Sequence, residues 1–175
     1  MEHLDLITLE AGVDEVRRSP KDEGRLDLIV RRPAEGEREQ LAEATLDTED
    51  GLVGDRWGLG ARHFEAQLTL ANARFAALVA QDSERVPLAG DQLYVDFDLS
   101  GENIPPGTRL AIGTAVVEVT DEPHTGCRKY LDRFGKDALK FVNSPIGREL
   151  NLRGINTRIV VGGVVRTGDT IQKTS

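Results

Sequence analysis

The chain has 175 residues, enough for one domain that buries a core without disulfides or structural metal. Lys and Arg total 22 against 30 Asp and Glu, and this net charge of −8 repels a phosphate backbone and argues against nucleic-acid partners. A single cysteine allows no intrachain disulfide, which points to a reducing, cytoplasmic setting. No apolar run approaches the ~20 residues that span a bilayer, and the acidic opening MEHLDLITLE lacks the basic region of a secretory signal, so no membrane partner is expected.

In chain order, residues 1–9 form a short apolar run that suits helix and strand equally. Residues 11–24 are polar, contain Pro20 and Gly24, and read as a loop. RLDLIVRR (25–32) is a strand ended by Pro33, and QLAEATLDT (40–48) a second strand of weaker periodicity. EDGLVGDRWGLGAR is a glycine-rich loop. QLTLANARFAALVA (67–80) passes from strand to helix near Asn72, where Ala, Arg and Leu favour helix. DQLYVDFDL (91–99) alternates, with Leu93, Val95 and Phe97 on one face and Tyr94, Asp96 and Asp98 on the other, the pattern of a strand buried on one face. SGENIPPGTRL is a turn, and 109–120 holds two short strands about Gly113. KDALKFVN is helix-like. SPIGREL begins a short helix with Ser144 as N-cap and Pro145 in the first position. TRIVVGGVV (157–165) and RTGDTIQ close the chain as two strands. With no repeat or linker, the expected fold is a single mostly β, α+β domain over 1–175, barrel-like with a few short helices.

The chemistry concentrates in EPHTGCRKY (122–130), which carries the lone Cys127. A thiolate is both nucleophile and metal ligand, and nearby cations stabilise it. His124, Arg128 and Lys129 are the local candidates, and Gly126 allows close approach to the backbone. The competing reading is a small buried hydrophobe. A zinc site needs three or four ligands, and His3, His63 and His124 are widely separated without a paired-ligand motif. A Cys–His hydrolase lacks a marked third residue. Elsewhere, Asp55 and Arg56 sit on the glycine-rich loop, aimed at a pocket or paired on the surface. Asn103, in GEN, bonds a ligand or its own backbone. Arg153, Asn156 and Arg158, in LRGINTRI, suit a phosphate or carboxylate, or a solvated face.

Taken in order, GD (54–55), GEN (101–103), PGTRLAIG (106–113), VVEVT before a Pro and Cys127, LRGINTRIV and GGVVRTGDTI resemble the MOSC domain. That domain occurs at the C-terminus of molybdenum-cofactor sulfurases and as stand-alone bacterial proteins. The resemblance covers about residues 25–172. It implies a closed or nearly closed β-barrel and a role around molybdenum cofactor or sulfur transfer. Related members reduce N-hydroxylated compounds with electrons from a donor protein. It also implies that Cys127 takes the molybdenum-ligand position and that basic and amide side chains hold the pterin phosphate. Asn103, Arg153 and Arg158 lie in the matching segments; Asp55, Arg56, Arg128 and Asn156 accompany them, and His124 is the nearest proton-carrying group.

Two departures stand out. Where many members have His-Gly-Gly, this chain has His63 followed by Phe64, and where many have Pro-Arg-x-Pro-Cys it reads Glu-Pro-His-Thr-Gly-Cys. The expected function is therefore binding of molybdenum cofactor (molybdopterin), or carriage of sulfur on Cys127, for redox or sulfur-transfer chemistry on a small molecule. The alternative is a non-catalytic module for a small anion or a partner protein on the same fold.

Overall fold

The computed structural model describes residues 1–174. Seven strands close into a barrel: β1 (Glu23–Arg31), β5 (Leu68–Asn72), β6 (Leu93–Asp96), β7 (Arg109–Ile112), β8 (Ala115–Val119), β9 (Ile155–Val161) and β11 (Thr170–Lys173). The ring runs β11-β7-β8-β9-β5-β6-β1, and β1 pairs back to β11 through Glu23–Gln172, Gly24–Ile171 and Arg25–Thr170. Closure leaves the ring no open edge. β2 (Glu39–Leu41) extends β1, while β10 (Gly163–Arg166), β3 (Glu43–Asp47) and β4 (Gly51–Leu52) form a separate three-stranded sheet. Inward residues fill the barrel: Leu26, Leu70, Leu93, Val95, Leu110, Val117 and Ile171 are all fully buried. Each such side chain removed from water contributes about 1.5–3 kcal/mol.

Only β5 and β6 run parallel, so the chain must cross over outside the barrel between them. That crossover is α3 (Ala73–Ala80) and a 3-10 segment, Ser83–Ala89. Against it pack α1 (Leu6–Ala11), α2 (Val13–Arg17), α4 (Arg128–Phe134), α5 (Lys136–Val142) and α6 (Pro145–Glu149). They share a second apolar cluster that includes Leu9, Val16, Phe75, Tyr94, Tyr130, Phe134 and Phe141. No helix among the described residues is long and apolar enough to cross a membrane.

The expected fold, a MOSC-like β-barrel with a few short helices, is the one observed. The strand-to-helix passage falls at Asn72, whose side chain accepts from the Phe75 N–H at 2.9 Å. Ser144 caps α6 by accepting from Gly147 N–H at 3.2 Å. Other expectations are corrected. Residues 11–24 are not all loop: Val13 and Val16 lie three apart and bury one face of α2. The strand at 40–48 is divided into β2 and β3, and the closing segment makes three strands rather than two. Tyr94 was expected on an open face but is 1% exposed, because the crossover covers that side of β6. The charged stretch after Cys127 is helical, with Tyr130 and Phe134 buried four residues apart.

Candidate functional site

The loop from Thr120 to Cys127 joins β8 to α4 and is tied down at both ends. Asn156 Nδ2 donates to the carbonyls of Glu122 (3.1 Å) and Pro123 (3.3 Å), and Thr120 Oγ1 donates to the carbonyl of Glu65. Nearer the thiol, Asn143 Oδ1 accepts from Gly126 N–H at 2.9 Å. A Cβ on Gly126 would lie 2.6 Å from Leu139 Cδ1 and 2.9 Å from Val142 Cγ2 on α5, so those side-chain ends would have to shift to admit one. Its small size serves packing of the loop.

Cys127 is exposed. It lines a cavity of about 370 Å³ together with Arg32, Arg38, Arg56, Lys129, Arg133 and Arg153, so the core reading of the cysteine is set aside. Burial pushes the thiol pKa up, but the backbone N–H groups of Tyr130 and Lys129 and the charges of Arg153 and Arg133 outweigh it. The net effect holds the thiol below its ordinary range.

The cations in this wall differ in how they are neutralised. Arg32 is spent on Asp55, at 3.0 Å through Nε and 2.7 Å through Nη2. Lys129 pairs with Glu35 at 2.9 Å, and Arg153 with Asp91 at 2.8 Å. Arg38, Arg56 and Arg133 have no ion-pair partner among the described residues. Arg38 Nε donates to the carbonyl of Pro87 at 2.8 Å, and Arg133 Nη1 to that of Leu88 at 2.7 Å. The two guanidiniums converge above Gly90 (φ +90°), where a Cβ would lie 3.7 Å from Arg133 Nη1 and 3.8 Å from Arg38 Nη2. Burial first, then the like charges of Arg133, Arg32 and Arg56, lower the Arg38 pKa. Like charges held together in this way are relieved by an anion.

Behind the thiol lies a buried cluster of Asp91, His124 and Arg153. Asp91 and Arg153 side chains are only 1% and 10% exposed. His124 Nδ1 is 3.7 Å from Asp91 Oδ1. Neither atom has a hydrogen-bond partner, nor does Arg153 Nε. Burial, only partly offset by Asp91, lowers the His124 pKa to about 4, so the ring is neutral at pH 7. Its imidazole borders three cavities at once, the thiol cavity and two more of about 360 and 190 Å³.

Among the residues singled out in the sequence, Cys127, His124, Arg56 and Arg153 are brought together at the cavity. Asp55 stands behind it, bonding Arg32, the Trp57 N–H and Gln92; burial raises its pKa, and Arg32 with the Trp57 N–H more than offsets that and holds it low. Asn156 holds the loop. Asn103 is elsewhere: its Nδ2 donates to the carbonyls of Lys21 and Asp98, and its Oδ1 accepts from Lys173 Nζ at 2.6 Å. Arg128 points to solvent and pairs with Asp132 at 3.2 Å. Arg158 is exposed on β9, opposite Glu118. The sequence reading missed Arg32, Arg38, Asp91 and Arg133. Only Arg133 carried a local signal, lying on the helix that starts at Cys127. Among the described residues, no three of His, Cys, Asp and Glu come together as a metal-holding group.

A closed, seven-stranded mixed barrel with one outside crossover and a thiol-bearing loop over a cationic cavity defines a MOSC-like fold. Solved structures share the architecture. The YuaD protein from Bacillus subtilis is 20% identical over 85% of this chain and 94% of its own, with a TM-score of 0.62. YiiM from Escherichia coli is 21% identical over 86% of this chain and 70% of its own, with a TM-score of 0.59. At these identities the likeness shows the fold alone. No family model and no curated protein matches the chain.

Proposed function

We propose that this is a MOSC-type protein that holds an anionic, sulfur-bearing group at Cys127 and uses it for redox or sulfur-transfer chemistry on a small molecule. The observation that carries this reading is an exposed, acid-shifted thiol in one cavity with three guanidiniums that have no ion-pair partner among the described residues. The residues fit molybdenum cofactor. A soft thiolate suits a metal that already carries sulfur ligands, and Arg38, Arg56 and Arg133 suit a phosphate. When bound, the cofactor supplies redox chemistry at the metal, with electrons from a donor protein. Within the protein, the arginines seat the anion and the neutral His124 shapes the wall. An imidazole with a pKa of about 4 has no imidazolium proton to deliver at pH 7, so in this reading it orients rather than protonates. Without metal, the same thiolate carries sulfur as a persulfide.

The test is molybdenum content and intact mass of wild type and Cys127→Ala from a cofactor-producing host. Near-stoichiometric metal in wild type and none in the variant supports the cofactor form. One reducible extra sulfur on Cys127 without metal selects the carrier form, and neither signal overturns both. One observation favours a second reading, a non-catalytic anion-binding module: the site has a neutral histidine where proton supply is needed. In that case Cys127→Ser leaves phosphate binding, measured by calorimetry, unchanged.

A further inference from the structure

The cavity has a feature that phosphate seating alone does not use: its nucleophile. Arg38, Arg56 and Arg133 face the cavity without carboxylate partners among the described residues, and Arg153, nine-tenths buried, has its Nε unbonded there. Such a set calls for a small anion of more than one charge with several acceptor oxygens. The group placed among them is a thiol, whose thiolate is a soft nucleophile. The two carboxylates in the same wall are both tied to cations: Glu35 to Lys129 at 2.9 Å and Asp132 to Arg128 at 3.2 Å. Bonding to Lys129 holds Glu35 below the usual carboxylate range. His124 is neutral and buried behind the thiol, and both carboxylates are ion-paired, so none of these three groups is poised to protonate a departing alkoxide at pH 7. The arrangement permits a leaving group that departs as a stable anion.

We infer that this cavity takes a sulfane-sulfur oxyanion, thiosulfate in the simplest case, and transfers its outer sulfur to Cys127. The Cys127 thiolate attacks the outer sulfur, an S–S bond forms as the old S–S bond breaks, and the bonding pair leaves with sulfite. The reactants, thiolate and thiosulfate dianion, balance the products, persulfide anion and sulfite dianion. No proton, metal or outside oxidant is needed. The arginines hold the sulfonate oxygens in substrate and product alike. An acceptor nucleophile such as cyanide then removes the sulfur as thiocyanate and restores the thiolate. The inference rests on the sulfur-carrier form of the proposed function and names the donor that loads it.

The experiment treats the full chain separately with thiosulfate and with inorganic polysulfide, reads intact mass with and without reductant, and assays thiocyanate after adding cyanide. Expected is a gain of one sulfur from thiosulfate, reversed by reductant, absent in Cys127→Ser, with catalytic release of thiocyanate. Arg56→Gln, whose side chain makes no other bond in the described structure, lowers kcat/KM for thiosulfate by roughly tenfold or more, the loss of one charged hydrogen bond. Lys140→Gln removes the same charge from an exposed position on α5 and leaves it unchanged. Loading by polysulfide but not by thiosulfate overturns the inference and leaves the carrier reading standing. Loading by neither overturns both. Hydrolysis of p-nitrophenyl phosphate at Cys127 in place of sulfur transfer also overturns it.

Discussion

His124 has the side chain whose environment makes the sharpest prediction. Its pKa falls from 6.5 to about 4 in the folded protein. The unfolded chain therefore binds more protons between those limits, and stability rises with pH across that window. The contribution is complete above about pH 6.5 and is lost as pH falls toward 4, a loss of ~3 kcal/mol. Urea unfolding at pH 7.5 and pH 5 captures about 2 kcal/mol of it, and His124→Gln shows the smaller drop of the two proteins. The cluster around His124 also explains how much of the site the sequence could disclose. Cys127, His124 and Lys129 are neighbours in the chain, so their proximity was readable. Arg32, Arg38 and Asp91 come from distant segments and meet only because the barrel and its crossover bring them together, and no local pattern announces that.

Elements with their own punctuation were legible. Asn72 and Ser144 cap helices by side-chain bonds that any sequence reader can anticipate, and Gly113 (φ +56°) turns β7 into β8. Elements stabilised mainly by packing were not. The five-residue α2 and the seven-residue α4 are too short to persist alone and exist because Val16, Tyr130 and Phe134 bury against neighbours. The same dependence makes α6 sensitive to a single methyl. Gly147 has ordinary helical backbone, but its Cβ would collide with the carbonyl of Phe141 and lie 2.6 Å from that of Val142. Gly147→Ala should push α6 off the end of α5 at a cost of about 1–3 kcal/mol, the usual range for overpacking. Chemical denaturation gives the value. Because Asn143, between those helices, also holds Gly126, the variant should alkylate faster at Cys127.

The whole molecule carries two apolar cores, one inside the barrel and one between the barrel wall and the helices. The cavity belongs to the second, so the first acts as its foundation. Ile171 is fully buried in the barrel and sits across from both Gly24 and Ile112. Ile171→Ala should cost about 2–5 kcal/mol, read as a lower urea midpoint, while the thiol cavity stays formed in the folded fraction. The placement of this residue has a further consequence, in time rather than energy. The seam that shuts the barrel joins residues 23–25 to residues 170–172. During synthesis the first strand of the seam must wait, with one side unpaired, for almost the whole of the intervening chain to be made. Until residue 172 is available β1 offers an exposed edge, and the closing step bears the entropy of a very long loop. The barrel is thus completed only once residue 172 has been made, and the nascent chain's exposure to pairing with another chain lasts until that seam forms.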